Sequence, residues 1–297
     1  MRRFECRRNP ELPSLAQSSD VSSIRHFPET TLPPPTSNGA VFDPLARDYD
    51  RLFTNTLIGS LFRAAVWQRL DVRFRAGDRV LDMGCGTGAD ALYLAGRGVQ
   101  VVAADISASM IRTTQEKVVR AGFASLVSLR QLAIEDLASS PLPELIHPFD
   151  GALFNFGSLN CVADLRKTAQ ALAQRLRPGA VALLCIMAPL CPWEWLWLLR
   201  RGQPRKAFRR LRFGGVQWRG ITVRYPSARA VARAFTPQFQ LLRTAGIGAL
   251  TPPPFAESWA AARPNLTERL NAWERRLEAY PPLSHFCDHY LIELEKR

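Results

Sequence analysis

The sequence lacks three features, each of which would have assigned it to a class of protein. It has no apolar run of about 18 residues, so no helix is predicted to span a membrane. No apolar block follows the basic start at Met1, so no secretory signal is predicted. No Cys-x-x-Cys pair occurs, which favours free thiols in a reducing, cytoplasmic compartment for Cys6, Cys85, Cys161, Cys185, Cys191 and Cys287.

Acidic residues are also missing from one long segment. Between Trp195 and Ala256 there is no Asp or Glu, whereas the same segment holds twelve Arg or Lys residues. The net charge of the whole chain is +13. A surface with charge of one sign attracts anions such as phosphates, carboxylates, anionic lipid headgroups or an acidic carrier protein. A solvated basic face that only aids solubility is the competing interpretation.

Three closely spaced glycines form the most informative motif of the chain. The run VLDMGCGTG, from Val80 to Gly88, predicts a buried strand followed by a tight turn that lets a ligand approach the backbone. A helix should follow, and then a second buried strand that ends at Asp105, 17 residues past Gly88. The helix N-terminus points its N–H groups at the turn, and a carboxylate at Asp105 can accept hydrogen bonds from a ribose diol. The pattern therefore predicts a nucleotide-type cofactor.

The glycine spacing is G-x-G-x-G and differs from the G-x-G-x-x-G of the dinucleotide-binding fold. The stretch from Val80 to Ser107 resembles the first two motifs of class I S-adenosylmethionine-dependent methyltransferases of the small-molecule type. FDPLARDYDRLF, from Phe42, and LRPGAVALL, from Leu176, resemble the same family, so the similarity covers roughly residues 42 to 188. The resemblance implies an α/β fold with a doubly wound, seven-stranded mixed sheet (Rossmann-like) and a helical cap insertion. It also implies the cofactor S-adenosyl-L-methionine.

The resemblance assigns roles to particular residues. In this family the glycine loop wraps the methionine part of the cofactor, the acid after the second strand holds the ribose, and an aromatic residue near Tyr49 closes over the methionine end. The implied cofactor-binding residues are Tyr49, Asp82, Gly84, Cys85, Gly86, Gly88, Asp105, Ile106, Ile134, Glu135 and Asn155.

Two positions depart from the family patterns. The acid that usually holds the adenine amino group aligns with Ala133, so Glu135, Asp136 or the backbone of Ile134 would take this role. The loop that starts at Asn155 reads NFGS and lacks the Asn/Asp-Pro-Pro-aromatic motif of enzymes that methylate exocyclic nitrogens of nucleic-acid bases. This loop favours a small-molecule acceptor.

The composition changes along the chain predict its organisation. Residues 1–40 are rich in Pro, Ser and charge and are predicted to be a disordered tail. Residues 41–297 would form the methyltransferase domain, with a cap insertion at 189–235 and a second insertion at 249–284. A helical lead-in is expected from Pro44 to about Leu70.

Methyl transfer from a sulfonium is an in-line displacement in which positioning supplies much of the acceleration, so no metal is predicted. A hydroxyl or carbon acceptor needs a base, for which Tyr49, His285, His289 and His147 are the candidates. His285 and His289 lie four residues apart, but the segment around His289 reads as a strand, so they are not predicted to form a helical metal pair.

The predicted function is methyl transfer to an oxygen, carbon or nitrogen atom of a small, hydrophobic or lipid-like acceptor. The cap carries Trp193, Trp195 and Trp197 beside its arginines, so it could face an anionic membrane surface or an acidic carrier, with the protein cytoplasmic and peripheral to the membrane. The tryptophans could equally fill the core of the cap. The alternatives in function are an RNA-directed methyltransferase, because aromatics beside cations suit single-stranded nucleic acid, and a cofactor-binding module without catalysis.

Overall fold

The computed structural model describes residues 38–297, and a seven-stranded sheet forms their centre. Their strands are β1 (Arg79–Met83), β2 (Gln100–Asp105), β3 (Val127–Gln131), β4 (Phe149–Phe154), β5 (Leu176–Met187), β6 (Val216–Trp218), β7 (Ile221–Val223), β8 (Phe239–Ile247) and β9 (His289–Lys296). The sheet order is β3-β2-β1-β4-β5-β9-β8, with β9 antiparallel to both neighbours and the other pairs parallel. The predicted seven-stranded mixed sheet is confirmed.

Helices cover both faces of this sheet, as a doubly wound fold requires. They are α1 (Leu57–Arg73), α2 (Ala89–Ala95), α3 (Ala108–Arg120), α4 (Leu165–Arg175), α5 (Pro192–Leu199), α6 (Pro204–Ala207), α7 (Ala228–Phe235), α8 (Glu257–Ala261), α9 (Pro264–Leu277) and α10 (Pro281–His285). Successive strand side chains point to opposite faces, so Leu81 packs with α4 and α7 and Val80 packs with α1, α2 and α3.

The carboxyl ends of the parallel strands meet at one edge of the sheet. There β1 lies between β2 and β4, where the strand order reverses. Ligands of open α/β sheets bind in the crevice at such a switch point. The topology therefore brings the ends of three strands, at Gly84, Asp105 and Asn155, to one place.

The lead-in to the sheet is less regular than the sequence predicts. Short 3-10 turns lie at Asn38–Val41 and Asp43–Leu45, a π-type turn lies at Asp50–Thr54, and α1 begins only at Leu57. Thr56 separates the turns from the helix, because its hydroxyl accepts a hydrogen bond from the Gly59 N–H at 3.0 Å and caps α1. Residues 1–37 of the predicted disordered tail lie outside the described residues.

The cap differs from its predicted boundaries. It comprises α5, α6 and the β6–β7 hairpin, so it is only partly helical, and α7 belongs to the layer on the sheet. Val231 and Phe235 of α7 are fully buried against the sheet, whereas Arg229 and Arg233 face solvent. Because these two arginines resemble those of the basic cap, the predicted insertion included this helix and ended at residue 235. In the structure the cap ends before Ala228.

Between β8 and β9 lie the helices α8, α9 and α10, of which the last ends one residue past the segment 249–284 predicted as a second insertion. The buried carboxylate of Glu274 accepts hydrogen bonds from the backbone N–H groups of Gly248, Leu250 and Thr251 at 2.8–2.9 Å. This residue fixes the loop that follows β8. Among residues 38–297, none of the helices combines the length and the apolar character needed to cross a bilayer.

Candidate active site

The glycine loop is shaped by contacts that exclude side chains. Gly84, Gly86 and Gly88 all have positive φ angles, of 75°, 55° and 77°. A Cβ at Gly84 would collide with Ser158 and a Cβ at Gly88 with Thr114, whereas a Cβ at Gly86 would meet no atom within 4 Å. Packing therefore requires the first and third glycines, and the second leaves open space beside the backbone.

Asp105 lies at the end of β2 and contacts the loop directly. Its Oδ2 accepts a hydrogen bond from the Gly86 N–H, and its Oδ1 accepts one from the Ser107 N–H, both at 2.9 Å. Burial raises the pKa of this carboxyl, and the two backbone donors act against the rise. Each oxygen keeps a second lone pair, so both can still accept a hydrogen bond from a ligand.

Asp82, just before the glycines, is buried without a hydrogen-bond partner on either oxygen. Burial raises its pKa well above the ordinary value, and the nearby charge of Asp90 raises it further. An unpaired buried carboxylate is costly to the fold, and such groups cluster at functional sites. A positively charged group placed beside Asp82 would favour its ionised form.

A buried network beside the loop was not predicted from the sequence. The carboxylate of Asp90 accepts hydrogen bonds from Arg63 Nη1 at 2.7 Å, Trp67 Nε1 at 2.7 Å and Asn155 Nδ2 at 2.8 Å. Arg63 is only 5% exposed, and its Nε has no hydrogen-bond partner. The signal in the sequence was an arginine on the apolar face of α1, next to Phe62 and Val66.

These groups surround a narrow cavity of about 20 Å³, and its lining residues are Tyr49, Arg63, Gly84, Cys85, Gly86, Thr87, Ala89, Asp90, Asn155 and Phe156. The Arg63 guanidinium lies 4.9 Å from the centre of the Phe156 ring and 5.8 Å from that of Phe53. Burial raises the pKa of Tyr49 to about 12. The phenol of Tyr49 is therefore a hydrogen-bond donor at neutral pH and not a ready base.

Residues 38–56 cover the loop and form a lid over it. Asp43 accepts hydrogen bonds from Ser107 Oγ at 2.5 Å and from the Ser109 N–H at 3.0 Å. Asp50 accepts one from Thr87 Oγ1 at 2.6 Å and forms an ion pair with Lys117. Phe42 contacts Trp218 of the cap hairpin, with ring centres 5.8 Å apart. The cavity beneath the lid has room for about one water molecule.

The other predicted cofactor residues are less closely placed. The Ile106 carbonyl faces the lid at Gly39 and accepts a hydrogen bond from Gln131 Nε2 at 3.1 Å. Ile134 packs against the core, and Glu135 is exposed. Burial, with the nearby charge of Glu135, raises the pKa of Cys161 to about 11, so Glu135 lies near that thiol. The amide of Asn155, expected to face the cofactor, is engaged by Asp90 and by the Phe156 N–H.

The four candidate bases lie in very different places. His289 is buried at the start of β9, with Nδ1 2.9 Å from Asp288 Oδ2 and its ring 5.6 Å from that of Phe156 in the cavity wall. His285 is exposed on α10, and its Nδ1 lies 2.6 Å from the Pro281 carbonyl, so it does not line the cavity. His147 is exposed before β4, at the opposite edge of the sheet from the glycine loop. Geometry therefore argues against His285 and His147 as bases.

Comparison with known proteins agrees with this arrangement. Residues 80–179 match a family described as a methyltransferase domain. The chain is 37% identical over 147 residues to a tRNA 5-carboxymethoxyuridine methyltransferase of Escherichia coli, a match that covers 48% of this chain and 54% of that protein. It is 33% identical over 178 residues to a demethylmenaquinone methyltransferase of Clavibacter sepedonicus, over 57% of this chain and 63% of that protein.

Solved structures show the same fold. An S-adenosylmethionine dependent methyltransferase from Mesorhizobium loti superposes with a TM-score of 0.50 at 18% identity, over 80% of this chain and all of that one. Residues 80–179 are therefore similar to a methyltransferase domain, and the described residues share the fold of S-adenosylmethionine dependent methyltransferases. S-adenosyl-L-methionine is the cofactor of this class of enzyme. The chain spans little more than half the length of the tRNA methyltransferase, so the two relatives' names do not give its acceptor.

Proposed function

We propose that this protein transfers a methyl group to a small, apolar, lipid-like acceptor, on an oxygen, carbon or nitrogen atom. The observation that carries the proposal is a second cavity, of about 220 Å³, lined by Pro192, Ala249, Leu250, Pro282, Leu283 and Phe286. Pro192 follows β5, and Ala249 follows β8, which runs in the same direction as β5 because both are antiparallel to β9. This apolar cavity therefore lies at the same sheet edge as the glycine loop.

The residues around the loop suit the parts of the cofactor. We assign the ribose hydroxyls to Asp105 and the positive charge of the methionine part to Asp82. The free Nε–H of Arg63 suits the carboxylate of the same part, in a wall shared with Phe156. The bound cofactor supplies an electrophilic methyl group, and the chain's contribution is to hold the acceptor in line with it in a site from which the lid excludes water.

Among the candidate bases we assign proton removal to His289. Its ring contacts Phe156 in the cavity wall, and Asp288 Oδ2 lies 2.9 Å from its Nδ1. Of the three histidine candidates it is the one that lies beside the cavity wall, and a general base must be within reach of the proton that it removes. Changing His289 to Gln should lower the rate with a hydroxyl or carbon acceptor and leave cofactor affinity unchanged.

The second candidate is an RNA acceptor. The relative from Escherichia coli is a tRNA methyltransferase by its description, and exposed arginines and aromatics lie on the cap. The loop NFGS and the apolar second cavity favour the lipid-like acceptor instead. The same proposal places the protein in the cytoplasm beside a membrane, where such an acceptor dissolves.

The test combines cofactor binding with an acceptor panel. Calorimetry should show binding of S-adenosylmethionine, and mass spectrometry should detect methylated product from detergent-dispersed prenylated quinones and phenols but not from undermodified tRNA. Ala249→Phe fills the apolar cavity and should raise KM for the apolar acceptor while cofactor affinity stays constant. Ala262→Phe, on an exposed position, is the matched control. Methylated tRNA with no methylated apolar product would overturn the proposal in favour of the second candidate.

A further inference from the structure

The start of the cap, residues 192–213, exposes large apolar side chains between cations. Phe213 is fully exposed, and Leu196, Leu199 and Leu211 are each about half exposed. The cations Arg200, Arg201, Arg205, Lys206 and Arg212 are exposed in the same stretch. We call these four apolar and five basic residues the cap surface. Soluble proteins seldom expose such a mixture without a partner.

The acid of this stretch does not neutralise the cap surface. Glu194 is fully buried and forms ion pairs with Arg209 at 2.7 Å and with Arg210 at 2.7 Å. Its negative charge is therefore turned inward. The five cations of the cap surface have no carboxylate among residues 195–256 that could offset them. The partner of this surface must be negatively charged.

The tryptophans that the sequence suggested for a membrane contact face inward instead. Trp193 packs against Trp259, Trp195 against Phe208 and Trp197 against Phe255, with ring centres 5.7–6.0 Å apart. All three tryptophans are half-buried, and two of the three ring contacts join the cap to the second insertion. The exposed apolar side chains are instead the leucines and Phe213, which did not stand out in the sequence because the segment is so basic.

The elements that carry the cap surface form one folded unit. The Gln203 N–H donates to the Leu198 carbonyl, which folds α6 back on α5. The ion pairs of Glu194 tie the turn at Arg209–Leu211 to the first turn of α5. An eight-residue helix is about 12 Å long, so the exposed leucines of α5 lie close to each other and to Arg200 and Arg201, which directly follow the helix.

We propose that the cap surface binds an anionic lipid bilayer, with its cations at the headgroups and Phe213 and Leu211 inserted between them. Trp or Phe and Leu beside Lys and Arg is the composition of segments that lie in a membrane interface. The inference rests on the proposed function, because a lipid-like acceptor is dissolved in the membrane. Pro192 of this unit also lines the apolar cavity, so the docked cap would open that cavity toward the lipid.

Vesicle flotation tests the proposal on the full chain, without cofactor or acceptor. Vesicles of phosphatidylcholine alone are compared with vesicles that contain about a third phosphatidylglycerol. Arg205→Gln with Lys206→Gln should weaken binding to anionic vesicles about 20- to 30-fold, since each cation near the surface contributes on the order of 1 kcal/mol. The matched control is Arg166→Gln with Lys167→Gln, an exposed Arg-Lys pair at the start of α4, which should leave binding unchanged.

The apolar contact is tested separately by Phe213→Ala, which should weaken vesicle binding about tenfold because part of the ring's burial is lost. Ile146→Ala is the control, since Ile146 is 69% exposed at the far edge of the sheet. Equal, negligible binding to both vesicles would overturn the proposal. A salt-sensitive affinity for single-stranded RNA that depends on the same residues, without vesicle binding, would assign the surface to nucleic acid.

The two proposals fail in different ways. If cap variants lose vesicle binding but methylate a detergent-dispersed acceptor at the wild-type rate, both stand. If the wild type floats with anionic vesicles but methylates no apolar acceptor, the membrane contact stands and the proposed function falls. If the cap variants lose neither vesicle binding nor activity on acceptor embedded in vesicles, the membrane inference falls alone.

Discussion

The glycine-loop region and the cap distribute charge in opposite ways. Around the loop the acids Asp82, Asp90 and Asp105 are buried, and the buried cation beside them is Arg63. In the cap the acid Glu194 is buried, and the cations lie mostly outside. The net charge of the whole chain, +13, therefore does not indicate how charge is distributed in either region. The buried acid Asp82 belongs to the site proposed for the cofactor, and the exposed cations of the cap belong to the surface proposed to bind lipid.

The two buried clusters also differ in how completely their charges are paired. At the base of the cap, the Arg210 guanidinium donates to the carboxylates of Glu194 and Asp288 and to the carbonyls of Ala188 and Asp288. Cys191 lies beside these carboxylates and offers a third metal-ligating atom, but the guanidinium already fills the role of the cation. Full pairing indicates an anchor for the fold, whereas neither oxygen of Asp82 has a hydrogen-bond partner.

The largest expected effect breaks the anchor. Arg210→Ala leaves the carboxylates of Glu194 and Asp288 buried without their shared cation, which should cost about 3–5 kcal/mol of unfolding free energy. Urea unfolding followed by fluorescence of the cap tryptophans measures this loss. Arg212→Ala, two residues along and exposed, should change stability by no more than about 0.5 kcal/mol. Equal effects of the two substitutions would show that the buried cluster does not anchor the cap.

The next effect concerns the loop. Asp105→Ala removes the carboxylate assigned to the ribose, and losing hydrogen bonds to a charged group should cost about 1.5–3 kcal/mol, or about 10- to 150-fold in Kd. Calorimetric titration with S-adenosylmethionine gives the value. Glu116→Ala, an exposed acid on α3, controls for the change in net charge. An unchanged Kd in the Asp105 variant would move the ribose to another residue.

The core of the fold followed from the sequence because its signals are local. The apolar strand at Val80, the glycine spacing and the acid at Asp105 each depend on a few neighbouring residues, and the structure has a strand, a turn and a strand end there. The cap and the lid were predicted less accurately from the sequence. Arg229 and Arg233 hid a core helix, and Thr56 divided a helix that periodicity predicted as continuous.

The network at Asp90 could not be predicted because it is assembled from distant positions. Arg63 and Asp90 are 27 residues apart in the sequence, and Asn155 is 65 residues from Asp90. No local pattern pairs them until α1, α2 and β4 are brought together by the sheet. Asn155 was expected from the sequence to bind the cofactor, whereas in the structure its amide is part of this network. Its role toward the cofactor stays a prediction.

A smaller effect is expected at Asp82, where one substitution should change stability and cofactor affinity in opposite directions. Because the pKa of Asp82 is raised in the folded protein, wild-type stability should fall as pH rises above the ordinary value of 3.8, by up to about 1.4 kcal/mol per pH unit until the raised pKa is reached. Asp82→Asn lacks this loss, so its stability advantage should grow with pH while its affinity for S-adenosylmethionine falls. Thermal unfolding at several pH values tests this; a difference that is flat with pH would mean that Asp82 stays ionised in the fold.

The smallest effect is expected at Tyr49, in the lid. Burial raises the pKa of its phenol to about 12, so the group stays protonated below about pH 10 and is not a ready base. Tyr49→Phe keeps the ring contact with Phe53 and removes a hydroxyl whose hydrogen bond to a bound ligand would be worth about 0.5–1.5 kcal/mol, so kcat/KM should fall about 2- to 10-fold with an unchanged pH profile. Tyr280→Phe, at an exposed position, is the control. A loss of several hundredfold, together with loss of the alkaline limb of the profile, would make Tyr49 the base and would place the acceptor's reacting atom under the lid, beside the glycine loop.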